Sequence, residues 1–364
     1  MKEKHSIINW FEPDFSEEEE KRVADVVKSG FVNEGKLTKE FEDKVKDLLG
    51  VKHAVAATSG TVALFLGLAS LGIGPGDEVI VPDITFIASA NAVKLAGAKP
   101  VLADIKKEDL TIDPEDVKKK ITKKTKAIIP VHIVGRCCDM KKLSEIAKKH
   151  NLEIIEDACE SFGSKYGDKY TGTISKIGCT SFAPNKIITT GQGGMVLTND
   201  DEIYEKLIRL KDHGRLKRSD EVHETFGYNF KFSDILAAVG LGQLEKLSDR
   251  IKMFKKQYKL YEDYLKDVKQ VKIIKTNIEK GECPLWIDFF VEDRGKLVDF
   301  LKEKNIHTRP LWLPLHSNPP YKMKDSEFPN STSIAKKVLW LPNGPKITEK
   351  EIKFICSVIK EFYS

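Results

Sequence analysis

The 364-residue sequence has no long apolar run. No window approaches the roughly 20 apolar residues of a membrane-spanning helix. The opening segment MKEKHSIINWFEPDFSEEEE holds no apolar stretch of signal-peptide length. Cytoplasm is therefore the expected location, with no membrane partner. Cysteine is sparse: the six are Cys137, Cys138, Cys159, Cys179, Cys283 and Cys356, and they form neither a CxxC nor a zinc-ribbon spacing. Reduced thiols and no metal site are expected, even for the adjacent pair Cys137-Cys138. Charge of one sign is lacking too. The 60 Lys and Arg against 55 Asp and Glu leave only +5, and the scattered Lys-Lys pairs read as solvated helix faces, so nucleic acid is not an expected partner. No GxGxxG follows the first strand, which removes the nicotinamide-binding fingerprint. There are no internal repeats and no low-complexity linker.

What is present is a core-forming composition, 41% apolar, in a chain long enough for one large or two ordinary domains. An acidic turn followed by Val23, Val26 and Val27 predicts a surface helix over 16–29. A glycine-rich loop follows, and Phe41, Val45 and Leu48 mark the next helix. Ser59-Gly60-Thr61 opens an apolar helix that stops at Gly72 and a GPGD turn. Strand and helix patterns then alternate. Strands are expected at 78–82, 99–105, 126–134 and 152–158, and helices at FIASANAVKLAG, after Pro114 and at 140–150. This alternation predicts an α/β fold with a mostly parallel sheet covered by helices. From about residue 245 a long charged helix precedes strand-like runs at 284–291 and 306–313, with a helix between them and a closing helix. The expected division is a large domain over 1–245 and a smaller α+β domain over 246–364, with the N-terminal segment packing on the smaller one.

Four weak signals occur in order along this frame. Ser59, Gly60 and Thr61 lie at a helix N-terminus, where free N–H groups and the dipole attract an anion. Phe86, just past a strand end, is placed to stack on a ring. Asp157 ends a buried strand, at the edge where open α/β sheets bind ligands. Lys186 lies between Ser181 and the Gly191, Gly193 and Gly194 cluster. A lysine joining a carbonyl cofactor needs such a fixed backbone, small neighbours and an anion site nearby. A phosphate cup, a stacking ring, a carboxylate for a pyridinium nitrogen and an amine together point to pyridoxal 5'-phosphate.

With the segments FVNEGKLTKEFE, SGTVALFLGLASLGIGPGDEVIVPDITFIASANAV, IIPVHIVGRCCDM, IIEDACESFGSKYGDKYTGT, SFAPNKIITTGQGGMVLTND, GYNFKFSDILAAVGLGQLE and HTRPLWLPLH, the sequence resembles the sugar-nucleotide aminotransferases of the DegT/DnrJ/StrS family over nearly its whole length. The resemblance implies the fold type I, aspartate-aminotransferase-like architecture. It implies that Lys186 carries the cofactor and shuttles the proton, that Asp157 pairs with the ring nitrogen, and that Phe86 stacks on the ring. Glu160 would lie near the ring hydroxyl. Gly60, Thr61 and Ser181 would hold the phosphate, with Asn229 reaching it from a partner subunit. A homodimer with shared sites follows.

Lysine rather than histidine at 186 implies transamination rather than dehydration. Several segments look most like the relatives that aminate GDP-4-keto-6-deoxy-D-mannose at C-4, with L-glutamate as donor and pyridoxamine 5'-phosphate as the intermediate cofactor form. In that picture Arg309, His316 and Tyr321 belong to a segment near the sugar nucleotide. The alternatives are a UDP- or dTDP-keto-sugar acceptor, amination at C-3 or C-4, and a cofactor-binding sensor without turnover. Three departures from the usual family pattern stand out: Gln192 in place of Glu, Ala183 in place of a ring-bearing residue, which enlarges the pocket, and the GRCCDM form of a loop read as a variant without catalytic meaning.

Overall fold

A computed structural model describes residues 7–217, 219 and 221–364. The alternating patterns form a seven-stranded sheet from β1 (His53–Ala57), β2 (Glu78–Pro82), β3 (Lys99–Ala103), β4 (Thr125–Ile128), β5 (Glu153–Asp157), β8 (Ile177–Ser181) and β9 (Gly194–Thr198). A short hairpin, β6 (Lys165–Tyr166) and β7 (Lys169–Tyr170), stands apart from it. The sheet order is β1-β9-β8-β5-β4-β2-β3. Neighbours from β8 through β3 run parallel, and β9 is antiparallel to both β8 and β1. All residues of β2, β8 and β9 are buried. Strands covered on both faces need no polar alternation, which is why EVIVP reads as one apolar run. Because β1, β5 and β8 point the same way, Ala57, Asp157 and Ser181 end at one edge of the sheet.

A second, wholly antiparallel sheet contains β10 (Val271–Ile273), β11 (Ile287–Val291), β12 (Arg309–Pro310) and β13 (Val338–Leu341), in the order β10-β11-β13-β12. The helices Leu247–Leu265, Arg294–Glu303 and Glu349–Tyr363 bury their apolar faces in a core shared with this sheet. Ile8 joins the same unit. Its N–H donates to the Asn305 carbonyl and its carbonyl accepts from His307 N–H, both at 2.9 Å.

Three expectations change in detail. The run 126–134 is regular strand only to Ile128; beyond it Ile129 N–H still donates to the Ile80 carbonyl and Val131 bridges Asp157, but Pro130 has no N–H to donate and Val134 turns at φ 55°. The run 306–313 joins β13 only at Arg309 and Pro310, on an edge where a proline is tolerated, while Ile306 bridges Ile8. In the helix Lys36–Leu49 it is Leu49, not Leu48, that faces the core. All six cysteines are free.

The GRCCDM loop joins the two sheets. The Arg136 guanidinium is 1% exposed and donates twice to the Asp288 carboxylate of β11, each bond 2.8 Å, while its Nε donates to the Asp109 carbonyl at 2.7 Å. Gly135 beside it has φ +88°, and a Cβ there would meet the Cys283 carbonyl oxygen at 1.7 Å. Only glycine fits where the two chain segments touch.

At the other end, Glu19 clamps the helix Glu17–Ser29 to the helix Asp234–Glu245. Its carboxylate accepts from Ser16, Gln243 Nε2 and Lys246 Nζ. Burial alone would raise this carboxyl, but the donors from Lys246, Ser16 and Gln243 outweigh it and hold it at about 2, against an ordinary 4.5. A depressed folded-state value gives stability that is present above the ordinary value and lost as pH falls towards the depressed one. Stability of the wild type therefore falls between about pH 4.5 and 2 in part through Glu19, and Glu19→Gln is expected to flatten that loss in urea unfolding followed across the window.

Candidate active site

A cavity of about 290 Å³ opens at the carboxyl edge of the large sheet. Its wall brings together Ser59, Gly60, Thr61, Phe86, Asp157, Glu160, Ser181, Lys186 and Arg309, residues drawn from segments 250 positions apart. The strand ends explain the gathering. β1 leads into Ser59 and Gly60, β5 ends on Asp157, and β8 ends on Ser181.

Ser59 caps the helix Gly60–Ser70. Its side chain accepts from Val62 N–H at 3.2 Å and its carbonyl accepts from Ala63 N–H at 2.9 Å. The amides of Gly60 and Thr61 come before the first intrahelical bond and are left for an outside acceptor. Close packing fixes this turn. A Cβ on Gly60 would lie 2.8 Å from Ser181 Cβ, and one on Gly194 would lie 2.3 Å from the Ser59 carbonyl oxygen. Gly194 thus seats the strand β9 against the helix cap, Gly193 packs on Thr190 and Phe232, and of the run 191–194 Gln192 is the residue in the cavity wall.

Asp157 is 3% exposed. Its Oδ2 accepts from Ser89 Oγ at 2.7 Å and its Oδ1 from Cys159 N–H at 3.1 Å. Thr85 lies 3.0 Å from Ser89, so two side chains and one backbone amide fix the carboxylate's direction. Lys186 follows a tight turn in which its own N–H donates to the Ala183 carbonyl at 3.1 Å. Its Nζ lies 3.6 Å from Glu160 Oε1 and 5.0 Å from the centre of the Trp286 ring. Glu160 Oε2 accepts from Val134 N–H at 3.1 Å. Burial pushes the Glu160 carboxyl up, against the pull of the Lys186 ammonium. Phe86 is half exposed at the rim, tilted towards Trp312 with ring centres 6.0 Å apart.

Three expected residues lie elsewhere. His316 is fully buried outside the cavity wall: its N–H donates to Asp83 Oδ1 at 2.8 Å, its Nδ1 lies 2.6 Å from Asp83 Oδ2, and its ring stacks on Phe328. That geometry pins the loop after β12 to the end of β2. Tyr321 donates its hydroxyl to Asn91 Oδ1 at 2.6 Å. Asn229 is exposed and pairs with Asp212 through a backbone bridge, away from this chain's own cavity.

Sequence reasoning missed Trp286, Trp312, Ser89 and Asn185, all in the wall. The Trp286 Nε1 donates to the Asn185 carbonyl at 3.2 Å, so a residue at the start of the small sheet holds the backbone next to Lys186. Nothing near Trp286 in the sequence marks that contact, which spans about a hundred positions. Ser89 is a serine in the first turn of the helix Ala88–Leu95, with no local sign that it serves Asp157.

Known proteins match the chain over nearly its whole length. The model of the DegT/DnrJ/EryC1/StrS aminotransferase family matches residues 13–360. The GDP-perosamine synthase of Escherichia coli O157:H7 is 38% identical over 97% of this chain and 98% of its own length. That of Vibrio cholerae is 36% identical over 98% and 100%. Among solved structures, S. venezuelae DesV superposes with a TM-score of 0.93 at 32% identity, covering 99% of both chains. The putative sugar aminotransferase Spr1654 from Streptococcus pneumoniae, in its PLP-form, superposes with a TM-score of 0.93 at 26% identity, covering 99% and 100%.

The residues present fit pyridoxal 5'-phosphate. A helix N-terminus with two free amides and the Ser181 hydroxyl suit its phosphate, an oriented buried carboxylate suits its ring nitrogen, and a lysine amine lies in the same cavity. The fold, the assembled cavity and the matched length agree that the chain belongs to the DegT/DnrJ/EryC1/StrS aminotransferase family, with pyridoxal 5'-phosphate as its cofactor.

Proposed function

We propose that this aminotransferase moves an amino group from L-glutamate to C-4 of GDP-4-keto-6-deoxy-D-mannose, giving GDP-perosamine. The observation that carries the amino-transfer chemistry is the meeting of the Lys186 amine and the fixed Asp157 carboxylate in one cavity beside the Gly60 helix terminus. The choice of sugar is supported by the two GDP-perosamine synthases matched over nearly their full length.

When bound, the cofactor supplies a carbonyl for the donor nitrogen and a ring that takes up an electron pair. The amides of Gly60 and Thr61 and the Ser181 hydroxyl would hold its phosphate, and Phe86, at the rim of the cavity, would supply an apolar face for the ring. Asp157, kept in place by Ser89 and the Cys159 amide, holds a proton on the ring nitrogen. The Lys186 amine takes the proton from the donor's α-carbon in the first half-reaction and delivers one to sugar C-4 in the second. Glu160, 3.6 Å away, steadies the ammonium between these transfers.

The same reading treats 1–245 as the cofactor domain and 246–364 as the small domain. It also makes the protein a homodimer, with Asn229 reaching the partner's phosphate site. Support comes from the exposed apolar side chains beside Asn229, with Phe226 96% and Val222 70% exposed. A single-chain mass by sedimentation equilibrium would remove this part. For the reaction itself, protein loaded with cofactor is treated with L-glutamate and then with GDP-4-keto-6-deoxy-D-mannose, with products followed by mass spectrometry. The expected result is 2-oxoglutarate in the first step and an aminated GDP sugar in the second. Amination of only a UDP or dTDP sugar would replace the acceptor, and no release of 2-oxoglutarate would overturn the reading.

A further inference from the structure

Among the described residues lining the cavity, the cations are Lys186 and Arg309. Lys186 faces Glu160, whereas among the described residues no hydrogen bond or ion pair engages the Arg309 guanidinium. Arg309 is exposed, with two rings against it. Arg309 pairs with Trp340 in the register of β12 on β13, and its guanidinium carbon lies 4.9 Å from the Trp10 ring centre and 5.8 Å from that of Trp340. Two indole faces thus flank a planar donor fork that no protein group of the described residues engages. Such a fork matches a carboxylate bidentately.

Size and charge decide which substrate meets it. The cavity, about 290 Å³, is at the small end of ligand sites, which run roughly 300–1,000 Å³, and the cofactor occupies much of it. The reacting end of a nucleotide-linked keto sugar is neutral, and its phosphates sit across the hexose from C-4. A donor amino acid differs: its carboxylate is attached to the carbon that reacts. On entering it meets two carboxylates, Asp157 and Glu160, and needs a positive partner other than the lysine that does the proton transfer. We propose that Arg309 is the carboxylate receptor for the amino-acid donor, a specificity-determining residue for the first half-reaction rather than a grip on the nucleotide. This rests on the aminotransferase reading above.

The test separates the two half-reactions. Arg309→Met is expected to raise KM for L-glutamate roughly tenfold or more, with a much smaller change in KM for the sugar nucleotide in protein loaded with pyridoxamine phosphate. Arg309→Lys, which keeps the charge and loses the fork, is expected to fall between the two and serves if the methionine variant does not fold. A second readout needs no turnover. Glutarate, a dicarboxylate without an amine, is titrated by calorimetry into the cofactor-free full-length protein. Binding to wild type that is lost in the variants supports the assignment. A shift confined to the sugar nucleotide, or glutarate binding equally to wild type and variants, overturns it. If wild type releases no 2-oxoglutarate from glutamate the functional reading fails, and the glutarate titration still decides the role of Arg309.

Discussion

Lys186→Ala is expected to lower overall turnover by more than about 10³-fold, since one amine serves as cofactor anchor and as the proton carrier of both half-reactions. Lys186→Arg should fail equally, because a guanidinium does not give up its proton in a protein. Stability should change little: Lys186 Nζ makes one loose ion pair, 3.6 Å from Glu160, and has no hydrogen-bonded network to lose. The check is rapid-mixing measurement of each half-reaction, together with urea unfolding of both variants. Turnover within about tenfold of wild type in the alanine variant would remove Lys186 from proton transfer. The companion change Glu160→Gln should act more mildly, because it removes a neighbour of the amine and leaves the amine itself.

Arg136→Leu carries the largest expected cost to the fold. It strands the Asp288 carboxylate, 2% exposed, without its two charge-assisted bonds. Removing one partner of a buried pair costs about 3–5 kcal/mol. The Asp109 carbonyl loses its donor as well. Urea midpoints measure this directly. Replacing both partners, Arg136→Met with Asp288→Leu, is expected to recover most of the loss, since the cost comes from the stranded charge and not from the absence of a salt bridge. A single variant within about 1 kcal/mol of wild type would mean that water or a rearranged side chain reaches Asp288.

Arg136 also shows where sequence reading stops. The loop GRCCDM reads as a variant without catalytic meaning, and nothing near it in the sequence marks the structural role of Arg136, whose partner Asp288 lies 152 positions further along. The features legible in advance depend on near neighbours. Ser59 before Gly60 marks a helix start, Asp113 before Pro114 marks another, and the buried strand at 78–82 announces itself by unbroken apolar residues. Asp157 and Lys186 were legible because their places at strand ends and turns are local properties, and the sheet order then brings them together. The strand β13 escaped notice. VLWL is four residues long, preceded by lysines and followed by a proline, and only its position between β11 and β12 makes it a strand. For His316 the resemblance implies a place near the sugar nucleotide, whereas its contacts with Asp83, 233 positions away, and with Phe328 are tertiary packing that no local pattern marks.

The indole rings have an optical consequence. The chain has four tryptophans, Trp10, Trp286, Trp312 and Trp340, and each lies within 6 Å, centre to centre, of another at the cavity or directly behind it. Emission from the whole protein on excitation of indole thus comes from one spot. A bound ligand that absorbs in the near ultraviolet would accept that energy, and a rotation of the small sheet against the large one would change the spacing of Trp286 from Asn185. Intrinsic fluorescence then reports on the site alone, with no label to attach and no distant ring to dilute the signal.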